Sequence, residues 1–188
     1  MKKIIVILMM LMMAGCSLIS DPKDPATDPF DADKLSFDEF DELYGQMMYE
    51  GLPEDRTNLT LGNANGVWKY NLKIRNDNSD GESYDELGYA EMSVSNDADP
   101  PIKIVLHPRI ANQGSDVFAL TDESVGYEPF TGGMNEKKEL MLTGNDCILY
   151  VERYYLWNGK EYLFGIIWFS EEKFGDFMMI REHTSSGK

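Results

Sequence analysis

The sequence predicts a mainly β protein, built as a single antiparallel barrel or sandwich with one N-terminal helix docked on it, over residues 35–188. From Val67 onward, apolar and polar residues alternate in short segments, as expected of strands with one buried face. Near the end of the chain, Asn158-Gly159 joins two apolar-rich segments, and this dipeptide is typical of a type I′ hairpin turn. Short strands separated by turns at this spacing indicate a sandwich or a barrel.

The first fifteen residues have the composition of an export signal. Lys2 and Lys3 precede an apolar stretch at 4–13, and two small residues follow before Cys16. Ten apolar residues are too few to cross a hydrocarbon layer that needs about twenty. We therefore expect residues 1–15 to be a signal peptide and not a membrane span.

The cleavage site, Met13-Ala14-Gly15-Cys16, resembles the lipobox of bacterial lipoproteins, with Met13 where that family most often has Leu. The resemblance implies cleavage before Cys16, a diacylglycerol on its thiol and an acyl chain, such as palmitate, on its amino group. It implies a lipid-anchored membrane protein of the cell envelope. Ser17 implies the outer membrane in a diderm host, a rule that does not extend to a Gram-positive host. The alternative is an ordinary secretory signal followed by a chance cysteine.

The charge of the mature chain limits its partners. Removing residues 1–15 takes away two lysines and no acid, so the net charge changes from −16 to −18 over the remaining 173 residues. A surface this acidic repels phosphate backbones, which excludes nucleic acid as a partner. Attachment to a membrane then depends on acyl chains and not on a basic patch.

The segment that follows, residues 16–34, is predicted to be a disordered tether because three Asp-Pro pairs make it extended and solvated. A helix should begin after Ser36, which forms a capping-box pattern with Glu39. Apolar residues recur there at helical spacing and mark one face for docking on the core: Phe37, Phe40, Leu43, Tyr44, Met47 and Met48.

The predicted β-strands follow in order. They lie at 67–75, 87–95, 102–106, 117–120, 140–142, 147–157, 160–169 and 177–181. His107-Pro108 is expected to end the third strand, and the glycine-rich stretch between Gly126 and Gly133 to be an irregular loop. Residues 170–174 are expected to form one helical turn. Cys147, the only cysteine besides Cys16, begins an apolar run and is interpreted as a small buried residue, with a nucleophile as the alternative.

Gly66-Val67-Trp68 at the start of the first strand resembles the Gly-x-Trp signature of lipocalins and related calycin barrels. In that family the tryptophan closes the barrel floor and an arginine from the last strand packs across it. The resemblance implies an eight-stranded barrel in which Trp68 and Arg181 form this closing pair. It covers roughly residues 66–182, and its specific part is three residues.

Catalytic and metal-binding patterns are not evident. The two histidines, His107 and His183, have no thiolate partner and do not form a zinc motif. Asn76, Asn78 and Asp80 match the start of an EF-hand loop, but position 12 is Leu87, so a polar hairpin turn is favoured. We expect no catalytic residue, metal or cofactor. One cluster of aromatic residues is either a lining for an apolar ligand or ordinary β core: Tyr154, Tyr155, Trp157, Tyr162, Phe164 and Trp168.

The function expected from these features is that of a lipid-anchored envelope lipoprotein, acting as a non-enzymatic binding or structural module. The alternative is a lipocalin-like carrier of a small hydrophobic ligand. The expected partners are the membrane, through Cys16, and either an envelope protein or that ligand. A barrel with an apolar, open-mouthed cavity favours the carrier, whereas a filled core with an exposed aromatic patch favours a partner-binding module.

Overall fold

The structure is a computed structural model that describes residues 30–49, 64–74, 83–137, 139–145, 147–170 and 173–182. The predicted signal peptide, Cys16 and most of the predicted tether lie outside the described residues, as do the cluster at 76–81 and His183. The chain divides into one unit, Met1–Asp31, and a second, Ala32–Lys188, which contains the helices and strands below.

The helix α1, Phe37–Tyr49, follows a 3₁₀ turn, Ala32–Lys34. Phe40 and Leu43 are buried on its apolar face, so the predicted docking helix is confirmed. The amide of Leu35 donates to the carbonyl of Ala32 at 3.0 Å, and the Leu35 side chain is buried. The last three residues of the predicted tether, Ala32–Lys34, are therefore a 3₁₀ turn that leads into the buried Leu35.

In the described part of the chain, nine strands and one further short helix accompany α1. The strands are β1 Gly66–Ile74, β2 Tyr84–Val94, β3 Ile102–Gln113, β4 Asp116–Ala119, β5 Phe130–Met134, β6 Leu140–Thr143, β7 Ile148–Trp157, β8 Lys160–Ser170 and β9 Lys173–Glu182. The short helix α2, Asp122–Val125, lies between β4 and β5.

The strands form one antiparallel sheet in the order β2-β1-β9-β8-β7-β6-β5-β3, and a β2–β3 pairing closes it into an eight-stranded barrel. The strand β4 pairs with the far end of β3, beyond the part of β3 that pairs with β5. The predicted fold class is confirmed, and the closure selects a barrel over a sandwich. At the β7–β8 hairpin, Trp157 pairs with Lys160 across Asn158-Gly159, as predicted, with φ of 50° and 76° at the two turn residues.

Side chains from all eight barrel strands fill its interior. Alternation along each strand directs every second residue inward, and twenty buried residues form one core cluster. The largest of these residues are fully buried: Trp68, Tyr70, Phe130 and Phe177. The barrel is a packed core along the described strands.

The prediction that His107-Pro108 ends the third strand is wrong. The strand β3 continues to Gln113, and its pairing with β2 shifts register between Leu87 and Gly88. The shift leaves Arg109 as an extra residue on β3, so the chain passes the proline through a bulge. Proline lacks an amide donor and is tolerated in a strand at such a position.

Two other local predictions are wrong. Phe130–Met134 is strand β5, although its glycines suggested a loop; Gly132 lies where β6 approaches so closely that a Cβ would be 2.0 Å from the carbonyl oxygen of Met141. The expected helical turn at 170–174 does not form, because Ser170 pairs with Lys173 as β8 continues into β9. In both cases cross-strand pairing overrides the local sequence pattern.

Candidate functional site

The structure brings the predicted closing pair together at one end of the barrel. The Cζ atom of Arg181 lies 4.0 Å from the centroid of the Trp68 ring. Arg181 Nε donates to Glu161 Oε2 at 2.6 Å, and Nη1 donates to the carbonyl of Asn65 at 2.7 Å. The indole Nε1 of Trp68 donates to the carbonyl of Ala64 at 3.0 Å. Strands β1, β8 and β9 are thereby joined at this end.

The contacts among Trp68, Arg181 and Glu161 at this end of the barrel are largely buried. Trp68 is fully buried and Glu161 is 4% exposed, so the ion pair with Arg181 is shielded from water. Such a pair requires both partners, because removing one leaves a buried charge unmatched.

A polar cluster that the sequence did not predict lies inside the barrel toward the other end. Glu86 is 0% exposed and accepts a hydrogen bond from the Tyr70 hydroxyl at 2.6 Å. Its other oxygen accepts hydrogen bonds from Tyr84 and, at 3.3 Å, from Tyr127. Burial raises the pKa of Glu86 above its ordinary value, although the three phenol donors act in the opposite direction. The cluster is a buried acid whose oxygens are satisfied by hydroxyl groups.

One signal could have revealed Glu86. It lies on the inward face of β2 with Ala90 and Met92, which are four and six residues farther along the strand. The predicted strand started at Leu87, so Glu86 was placed outside it. The two-residue alternation of the strand, extended back from Ala90, places Glu86 on the inward face. Because charged residues are rarely fully buried, this pattern alone does not predict a buried carboxylate.

Tyr127 reaches Glu86 from the segment that follows helix α2. The helix is attached to β3 by Asp122, whose carboxylate lies 2.9 Å from His107 Nδ1 and 2.5 Å from Arg109 Nη1. Partial burial opposes ionisation of Asp122, but these hydrogen bonds outweigh it and lower its pKa. His107 thus holds a connecting segment in place. Across the described ranges, no group of three or more His, Cys, Asp or Glu side chains is arranged to hold a metal ion.

The aromatic residues of the β7–β8 hairpin do not line one pocket. Tyr154 points into the core, whereas Tyr155 and Tyr162 are buried on the outer face. There Tyr162 stacks on Phe164 at 6.3 Å between ring centroids, and Trp157 packs beside Tyr162. Trp168 is 40% exposed. Cys147 is half-buried and packs against the core cluster.

An apolar surface that is partly exposed to solvent lies on the outside of β6, β7 and β8. We call it the outer apolar face and define it by Met141, Ile148, Tyr150, Ile166 and Trp168. Cross-strand register aligns its members, because Met141 pairs with Tyr150, Tyr150 with Ile166, and Ile148 with Trp168. Met141 is 58% exposed and Ile148 is 42% exposed. Clustered exposed apolar side chains of this kind are typical of an interaction surface.

Helix α1 covers a neighbouring part of the same outer surface. The two oxygens of Glu39 accept hydrogen bonds from Lys69 on β1 and Lys160 on β8, at 2.9 and 3.0 Å. Near the start of the helix, a groove of about 200 Å³ is lined by residues that include Glu39, Lys69, Tyr89 and Ile180. Because Glu39 on α1 and Lys69 on β1 bind each other, this groove belongs to the interface between the helix and the barrel.

Comparison of the chain with protein-family models, curated proteins and solved structures finds no match. Among the described residues, no helix is long and apolar enough to span a membrane.

Proposed function

We propose that this protein is a lipid-anchored lipoprotein of the bacterial cell envelope whose β-barrel is a non-enzymatic binding module. The observation that supports the binding role is the contrast between the packed barrel interior and the solvent-exposed outer apolar face. Fully buried side chains occupy the space in which a carrier would hold its cargo. Meanwhile Met141, Ile148 and Trp168 present apolar surface to solvent, where another protein can cover it.

The proposed anchor rests on Met13-Ala14-Gly15-Cys16, and it explains how an acidic protein stays at a membrane surface. We expect Cys16→Ser to leave the membrane fraction and its processing to lose sensitivity to globomycin. Mass spectrometry of the wild-type amino terminus should find an acylated Cys16. An unmodified mature amino terminus would rule the anchor out.

Site-specific photocrosslinking in intact cells tests the binding role. A benzoylphenylalanine at position 141 or 148 should give a discrete adduct with one envelope protein. The matched control is position 117 on β4, because Val117 is 64% exposed but lies away from the outer apolar face. Equal adducts from positions 141 and 117 would contradict a binding role for this face.

The barrel and the Trp68–Arg181 contact also support the alternative, a lipocalin-like carrier. Native mass spectrometry of the full mature chain separates the two proposals. A carrier retains a small apolar molecule that remains when Trp168 and Ile148 are both changed to serine. A partner-binding module shows the mass of the acylated chain alone.

A further inference from the structure

The segment 121–129, which we call the strap, lies between β4 and β5 and contains helix α2, which has no buried residue. Both ends of the strap are fixed, because the amide of Leu120 donates to a carbonyl of β3 at 2.7 Å and Phe130 is fully buried. Between these ends, Val125 and Tyr127 are half-buried and the other residues are exposed. A segment that buries so little surface can open while the core stays folded.

Asp122 and Tyr127 attach the strap to the barrel. The Asp122 carboxylate pairs with His107 and Arg109 on β3, and its side chain is 50% exposed. The hydroxyl of Tyr127 donates to Glu86 at 3.3 Å, which is long for a hydroxyl hydrogen bond. The strap is therefore held by a solvated ion pair at one end and by a long hydrogen bond at the other.

The surroundings of Glu86 make the second attachment sensitive to pH. Phenols from three elements donate to the buried carboxylate: Tyr70 on β1, Tyr84 on β2 and Tyr127 on the strap. Its cross-strand neighbours, Leu72 on β1 and Ala111 on β3, are apolar. Burial raises the pKa of Glu86, although the phenols act in the opposite direction. Ionisation inside the closed barrel is therefore costly, and water that enters when Tyr127 leaves relieves this cost.

We propose that the strap is a pH-sensitive closure over Glu86, which stays shut while Glu86 carries a proton and opens as Glu86 ionises. Opening breaks the hydrogen bond from Tyr127 and admits water to the carboxylate. The closed form binds the proton more tightly than the open form, so the open fraction increases as the pH rises from 4.5 through the raised pKa. Asp122 stays ionised over this interval, because its pKa is lowered from 3.8. The strap is a conformational device that does not depend on the outer apolar face.

Cys147 provides a reporter of the opening. It interacts electrostatically with Tyr127, and both side chains pack against the core cluster. In the full mature chain carrying Cys16→Ser, Cys147 is the single thiol. It is half-buried, so its reaction with 4,4′-dithiodipyridine should accelerate when Tyr127 moves away.

The test compares this chain with the same chain carrying Glu86→Gln, from pH 5 to pH 8. The ratio of the first reaction rate to the second cancels the titration of the thiol and of His107, since both proteins contain these groups. We expect the ratio to increase about fivefold or more over this interval, as for a typical coupling between two equilibria. A ratio that stays constant or falls as the pH rises would overturn the proposal.

Variants of the strap test the two attachments separately. Tyr127→Phe should accelerate the reaction more at pH 8 than at pH 5, because the lost phenol stabilises the ionised carboxylate in the closed form. Asp122→Asn should accelerate it about threefold or more at both pH values, since a neutral amide holds His107 and Arg109 more weakly. The matched control is Asp116→Asn on β4, which should change the rate by less than about twofold. Equal acceleration by Asp116→Asn and Asp122→Asn, or by Tyr127→Phe at both pH values, contradicts the proposal.

Urea separates opening of the strap from unfolding of the barrel. Opening of the strap exposes little surface, so 1 M urea should change the reaction rate of Cys147 by less than about twofold. Unfolding of the whole domain would instead accelerate the reaction about fivefold or more in 1 M urea. An acceleration of that size would reject the strap, because Cys147 would then be uncovered only by global unfolding.

Discussion

Arg181 and Trp68 form a stacked pair that joins the first and last strands of the barrel, with 4.0 Å between the guanidinium Cζ and the ring centroid. Glu161, on the neighbouring strand β8, holds the same guanidinium from a second direction at 2.6 Å. The arginine therefore bridges an aromatic face and a buried carboxylate. Its planar shape suits both contacts, because one face stacks while the edge donates hydrogen bonds.

Replacing Trp68 by alanine should lower the free energy of unfolding by about 3–5 kcal/mol, since a fully buried large aromatic is lost and a cavity remains. Urea denaturation measures this loss. Trp157→Ala is the matched control, because Trp157 is only partly buried at the hairpin end and should cost less. Equal losses for the two variants would mean that Trp68 does not hold the barrel end.

Arg181→Lys should cost about 1–2 kcal/mol, because an ammonium cannot stack on the indole and donate to Glu161 in the same geometry. Arg181→Leu should cost more, about 3–5 kcal/mol, since it leaves the Glu161 carboxylate buried without its partner. A double-mutant cycle with Trp68→Phe isolates the stacking contribution. A coupling energy of zero would show that the contact is not energetically significant.

The sequence patterns that predicted structure correctly are those whose cause is local. Alternation within each strand and the positive φ required at Asn158-Gly159 depend on neighbouring residues only, and both predicted the β class. The helix was predicted for the same reason, since one apolar face at 3.6-residue spacing contains Phe40 and Leu43. The juxtaposition of Trp68 with Arg181 was expected from a resemblance and not from the pattern of residues.

Features that depend on pairing between distant strands were missed. Strand β5 forms around Gly132 because β6 lies against it, and the bulge at Arg109 exists because β2 pairs on both sides of Pro108. The outer apolar face is assembled by register across three strands, and Met141, Ile148 and Trp168 are each unremarkable in the sequence. Glu86 was missed because burial of a carboxylate depends on tyrosines from two other parts of the chain, one of them Tyr127.

Gly159→Val should destabilise the protein by about 1–3 kcal/mol through backbone strain, because Gly159 has a φ of 76° and a β-branched residue is disfavoured there. No heavy atom lies within 4 Å of a Cβ at this position, so steric contact does not contribute. Urea denaturation of Gly159→Asn provides the comparison, since asparagine tolerates the left-handed conformation. Similar losses for valine and asparagine would be inconsistent with strain as the cause.

Glu86→Gln tests the buried carboxyl through the pH dependence of stability. Burial raises the pKa of Glu86 in the folded protein above its ordinary value of 4.5. The folded state therefore binds a proton more tightly than the unfolded state, and this contribution is fully present below pH 4.5. It is lost as the pH rises through the raised pKa. Glutamine removes the effect, so the variant should gain stability relative to wild type as the pH increases over that interval.

Asp122→Asn is a control of opposite sign, because hydrogen bonds from His107 and Arg109 lower the pKa of Asp122 despite partial burial. The Asp122 carboxylate stabilises the folded state fully above pH 3.8, the ordinary pKa of an aspartate. That stabilisation is lost as the pH falls through the lowered pKa of the folded state. Wild type should therefore exceed Asp122→Asn in stability at neutral pH and lose this advantage in acid. Urea denaturation from pH 3 to 8 measures both differences. The compared quantity is the free energy of unfolding of each variant minus that of wild type. If this difference stays constant with pH for Glu86→Gln, or changes in the same direction as for Asp122→Asn, Glu86 does not have a raised pKa.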